Sequence, residues 1–96
     1  MGTIEHWREK INAVDAQLLR LLNRRARLAQ RIGRIKHVRG RRLWSPARER
    51  AVLERLVGMN PGPLDPRSIQ RLFRGIIRES RRCEAVAMRA QKDTTR

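Results

Sequence analysis

The stretch from Ile4 to Lys36 constrains this chain more than any other, because its apolar positions keep a 3,4 spacing for about nine helical turns. Ile4, Trp7, Ile11, Val14, Leu18, Leu21, Leu28, Ile32 and Ile35 all fall on one seam. Thr3 is placed to cap this helix, which the pattern carries from about residue 4 to about residue 38, before Gly40 stops it. At about 1.5 Å per residue it is roughly 52 Å long. A compact chain of 96 residues has a radius of gyration near 12.5 Å and a diameter of only about 32 Å. The helix overruns its own domain, so something else must cover its seam. A second copy packed antiparallel about a two-fold axis does so most cheaply.

The seam is interrupted between Leu21 and Leu28, where the spacing asks for an apolar side chain and the chain supplies Arg25. Beside it runs a second column at seven-residue intervals, Arg8, Asp15, Leu22, Ala29 and Lys36. Three cations therefore stand on or at the edge of a sector that should be buried, and buried charge is costly unless paired.

The rest of the chain reads as two shorter helices. Arg39 to Trp44 is a basic connection, after which Ser45-Pro46 gives the cap and first-turn proline of a helix over about 46–58. Its core face is Val52, Leu53, Leu56 and Val57. Gly58 through Pro63 breaks it, and Asp65-Pro66 repeats the signal for a third helix over about 66–90. The stripe Ile69, Leu72, Phe73, Ile76 and Ile77 then meets Ser80, Cys83, Glu84 and Ala87, apolar giving way to polar without a change of face. Residues 91–96 read as a frayed tail. With few aromatics and no β-branched alternation, the expectation is one all-α domain over 1–96, three helices with a very long first one.

Composition narrows the function classes. Cys83 is the sole cysteine, and His6 and His37 are isolated, so neither a disulfide nor a metal site is expected. No run of 18 apolar residues and no signal-peptide layout is present, which points to a soluble cytoplasmic protein and away from membranes. The net charge of +15 says that a charged partner is anionic: nucleic acid, an acidic protein surface or a small polycarboxylate. The column Arg20, Arg24, Arg27, Arg31 and Arg34 suits phosphates, but no zinc finger, helix-turn-helix spacing or stacking aromatics accompany it, which argues against nucleic acid.

The polar interruptions suggest a site instead. Arg25, Lys36, Ser80 and Glu84 find partners most economically around a shared cavity between the first and third helices. Arg25 and Lys36 are about 16 Å apart along the helix, close enough for long side chains to converge on a small ligand. Arg8 lies about 25 Å from Arg25, yet an antiparallel pairing centred near residue 20 brings the partner's Arg8 opposite residue 32. The competing reading makes Arg25 a register device or a salt-bridge partner of Glu84.

These residues resemble a known family. Trp7-Arg8-Glu9-Lys10-Ile11, Val14-Asp15, Leu18-Leu19, Leu21-Leu22, Arg24-Arg25, Leu28-Ala29, Ile32-Gly33 and Lys36 are similar to the first helix of the all-helical AroQ-class chorismate mutases. The likeness continues through Pro46, Arg48-Glu49-Arg50, Val52-Leu53, residues 60–64, Ile69, Phe73, Ile76-Ile77 and Ser80, and covers about residues 4–87.

The resemblance implies an intertwined homodimer of three-helix chains, the chorismate mutase II fold, and the cofactor-free rearrangement of chorismate to prephenate for phenylalanine and tyrosine synthesis. It implies catalytic roles for Arg25, Lys36 and Glu84. Arg25 and the partner's Arg8 would clamp the substrate carboxylates, and Lys36 would serve a carboxylate and the ether oxygen. Arg48 and Glu49 would meet the substrate from the second helix, Glu49 at the ring hydroxyl, and Ser80 would lie near the ring carboxylate. Two positions depart from the family pattern. Ser45 stands where some members have aspartate, and Glu84 where others have a glutamine aimed at the ether oxygen. A glutamate donates a hydrogen bond there only when protonated, so activity is expected to favour lower pH. The alternatives are an isochorismate pyruvate-lyase of the same fold, a basic helical nucleic-acid-binding protein, and a regulatory module that keeps the dimer without turnover. Docking of another enzyme of the pathway is a further possibility.

Overall fold

The computed structural model describes residues 2–39 and 45–94. The basic connection expected at residues 39–44 and the stop at Gly40 fall, from residue 40 on, outside the described residues. Three helices make up the fold, α1 (Ile4–Arg39), α2 (Pro46–Met59) and α3 (Pro66–Thr94), and no strand occurs among the described residues.

The ends of the helices follow local chemistry. Thr3 Oγ1 accepts from the His6 N–H at 3.1 Å and opens α1. Ser45 accepts from the Arg48 N–H at 3.2 Å, with Pro46 in the first turn of α2. Asp65 Oδ1 accepts from the Ser68 N–H at 2.7 Å and opens α3. Gly58 does not end α2, which continues to Met59. Asn60 then shapes the turn, its Oδ1 accepting from the Gly62 N–H at 3.1 Å and its Nδ2 donating to the Leu64 carbonyl at 2.6 Å. Gly62 has φ +81, a left-handed conformation that an L side chain rarely adopts. Helical backbone in α3 runs to Thr94, beyond the end expected at residue 90.

α3 packs against both α1 and α2, while α1 and α2 make no close backbone approach among the described residues. The core is thin: Ala29, Val52, Leu53, Ile69 and Ala87 are buried, as is Gly33. Leu56, Val57, Phe73, Ile76 and Ile77 are half-buried, and Leu72 is exposed. Small residues line the α1 side of the contact with α3. At Gly33 a Cβ would stand 2.4 Å from the Glu84 carbonyl oxygen, so the two backbones approach as closely as they do only because the residue is glycine.

Within one chain the α1 seam is not covered. Trp7, Ile11, Val14, Leu18, Leu21, Leu28, Ile32 and Ile35 are each about half exposed. The chain measures 61 × 26 × 15 Å with a radius of gyration of 17.1 Å, against about 12.5 Å for a compact domain of this length. Each half-exposed seam residue leaves roughly 1 kcal/mol of burial unrealised. No helix among the described residues is long and apolar enough to cross a membrane.

Candidate active site

A cavity of about 430 Å³ opens where the three helices converge. α1 lines it with Arg25, Ala29, Ile32 and Lys36, residues at i, i+4, i+7 and i+11 of one helical face, together with Leu28. α2 contributes its cap Ser45 and the first-turn pair Arg48 and Glu49, then Val52 and Arg55. α3 contributes Ile77, Ser80, Arg81 and Glu84. The point at which the apolar stripe of α3 turns polar is therefore the wall of the cavity.

Polar links cross between helices here. Arg25 Nη1 donates to Ser80 Oγ. Lys36 Nζ lies 2.7 Å from Glu84 Oε1, and Arg81 Nη1 lies 3.7 Å from Glu49 Oε2. Ser80 and Glu84 are both buried, each 8% exposed, and the Lys36 side chain is 23% exposed. The carboxylate oxygen Glu84 Oε1 has this ion pair but no well-directed hydrogen bond. A salt bridge between Arg25 and Glu84 does not form: Glu84 lies one turn beyond Ser80 and is taken by Lys36, leaving Arg25 to the hydroxyl.

The electrostatics favour an anion. Arg25, Lys36, Arg48, Arg55 and Arg81 face the cavity against two carboxylates, Glu49 and Glu84. Burial, and then the nearby charge of Arg48, lower the affinity of the Arg25 guanidinium for its proton from the usual value. Arginine starts so basic that it remains charged, and its planar fork matches a carboxylate. An incoming carboxylate would offset both by pairing with the guanidinium.

The cavity thus gathers Arg25, Lys36, Ser45, Arg48, Glu49, Ser80 and Glu84, while Arg8 is not among its lining residues. Arg8 is exposed and lies 3.6 Å from Glu5 one turn earlier on α1. Arg55 and Arg81 line the cavity without having been singled out from the sequence. Helical phase is the signal that finds Arg81, since it follows Ile77 by four residues on the same face of α3. Arg55 likewise follows Arg48 by seven.

Comparison with known proteins gives a consistent result. The chorismate mutase type II family profile matches residues 7–85. The bifunctional chorismate mutase/prephenate dehydratase of Neisseria gonorrhoeae is 44% identical over 72 residues, 75% of this chain and 19% of that protein. The protein of the same name from Aquifex aeolicus is 35% identical over 81 residues, 80% of this chain and 22% of its own length. The chain thus spans about one fifth of the curated relatives it matches. Among solved structures, a chorismate mutase (form II) from Thermus thermophilus superposes with a TM-score of 0.83 at 37% identity, covering 84% of this chain and 92% of that one. By the match over residues 7–85 and by its three-helix fold, the chain belongs to the type II chorismate mutase family.

Proposed function

We propose that this chain converts chorismate to prephenate. The reaction is an intramolecular [3,3] rearrangement in which the ether C–O bond breaks as a new C–C bond forms, with no proton or electron taken from the protein. A catalyst for it must hold a dianion in a folded conformation and stabilise the negative charge that develops on the ether oxygen. The observation that carries the reading is the cavity of about 430 Å³ with five cations against two carboxylates on three helices.

In this reading Arg25 grips one substrate carboxylate with its fork, held in place by Ser80, which lies near the ring carboxylate. Lys36 serves the ether oxygen and a carboxylate. Glu49 accepts the ring hydroxyl, and Arg48 beside it supplies further positive charge. Ser45 is committed to capping α2 through the Arg48 N–H, so it contributes to the site by fixing the start of that helix. Glu84 donates to the ether oxygen in its protonated form, which also releases Lys36 from their ion pair. Two chains pair through the exposed α1 seam, and the partner's Arg8 completes each site from across the axis. The free thiol of Cys83 accords with action in the reducing cytoplasm.

The test is a direct assay for loss of chorismate and appearance of prephenate, with Arg25→Ala as control. Arg25 is half-buried, and truncating such a bonded cation costs about 2–4 kcal/mol, so kcat/KM should fall roughly 30- to 10³-fold. Pyruvate released from isochorismate with little prephenate formed would instead identify a lyase. Turnover unaffected by Arg25→Ala would remove the cavity from the reaction.

A further inference from the structure

Arg81 is the residue of this cavity with a geometry and no assigned task. It sits on α3 immediately after Ser80, and its guanidinium reaches across to Glu49 on α2 at 3.7 Å. Both side chains line the cavity and both are largely withdrawn from water, 30% and 19% exposed. Among the described residues α2 makes no close backbone approach to α1, so the first turn of α2 is located relative to Arg25 and Lys36 through α3. A polar tie across that α2–α3 contact ends on Glu49, a carboxylate that lines the cavity.

Glu49 poses an electrostatic difficulty that Arg81 resolves. A site for a dianion gains nothing from a bare carboxylate on its wall, since like charges in a partly desolvated cavity repel. With a guanidinium behind it, the same carboxylate accepts a hydroxyl hydrogen bond while presenting little net charge. We propose that Arg81 is a positioning residue for the reaction: it holds Glu49 in the cavity and neutralises it, so that a hydroxyl-bearing dianion binds beside a carboxylate. The inference rests on the mutase reading for its kinetic consequences, but the placement of Glu49 can be tested apart from turnover.

Five proteins decide it: the wild type, R81Q, R81K, E49Q and R81Q/E49Q, each first shown by circular dichroism to be folded. R81Q removes the Arg81 counter-charge and the tie that holds Glu49 in place, and should raise KM about tenfold, with a smaller change in kcat. R81K, which retains the charge, should recover most of that loss. In R81Q/E49Q no carboxylate is left to neutralise, so the double variant should show the KM of E49Q alone. A residue that merely packs α3 on α2 would give effects that multiply. Multiplying effects, or an R81Q with wild-type KM, would overturn the proposal. A crystal structure of R81Q provides the arm that needs no turnover, and Glu49 should there have left the cavity. Glu49 unmoved in that structure overturns the positioning role even if the wild type is a mutase. Glu49 displaced in a wild type without mutase activity would retain the role and discard the reaction.

Discussion

The role proposed for Glu84 conflicts with the ion pair it makes. Paired with Lys36 at 2.7 Å it is an anion that occupies the lysine, whereas a donor to developing negative charge must carry a proton. Its burial, 8% exposed, leaves it little water to fall back on. Glu84→Gln should therefore raise kcat/KM, because an amide donates a hydrogen bond without first giving up an ion pair to Lys36. A variant with kcat/KM equal to or below that of the wild type would contradict the role. At this scale the sequence is informative only where charge conflicts with pattern. Arg25 stands out because it replaces an apolar residue in a seam, and Ser80 and Glu84 because they continue an apolar stripe. Arg55 and Arg81 do not stand out among 24 basic residues, where a lone cation reads as solvated surface. Helical phase separates them from the rest only once Ile77 and Arg48 are known to face the cavity.

The helices are legible from periodicity and caps, since 3,4 spacing, Ser45-Pro46 and Asp65-Pro66 are local signals. The distance between helices is not, because it depends on a residue with no side chain. Gly33 carries no periodicity or cap signal, yet it sets the approach of α1 to α3 one turn from Lys36 and directly against Glu84. Gly33→Ala puts a methyl 2.4 Å from a backbone oxygen that cannot turn aside. It should cost about 1–3 kcal/mol in urea unfolding and lower activity by spreading the Lys36–Glu84 pair. Stability equal to the wild type would mean that the helices do not meet as described. The start of α3 has a pH signature of its own. The N–H and hydroxyl of Ser68 hold the Asp65 carboxyl below the usual carboxylate range. The cap therefore stabilises fully above that range, and its contribution disappears as pH falls through the lowered value. Urea unfolding of Asp65→Ala should show lower stability at neutral pH and a shallower acid limb than the wild type.

For the whole molecule the informative quantity is a mismatch. A helix of 36 residues in a chain of 96 cannot be enclosed by its own domain, and the single chain indeed extends 61 Å with its seam half exposed. That much follows from helix length alone, whereas which polar residues share a cavity does not, because it depends on how α3 lies on the other two helices. The mismatch joins oligomeric state to catalysis: if the seam pairs two chains antiparallel, Arg8 belongs to the partner's site and no single chain holds a complete one. Arg8→Ala and Arg25→Ala should each remain dimeric and lose activity. The decisive measurement is the chorismate mutase activity of the two inactive variants after unfolding and refolding as an equal mixture. A mixed dimer has one site with both arginines and one with neither, and half of randomly paired dimers are mixed, so about a quarter of wild-type activity should return. Activity no higher than that of the separate variants, or full activity of Arg8→Ala by itself, would contradict a site shared between two chains.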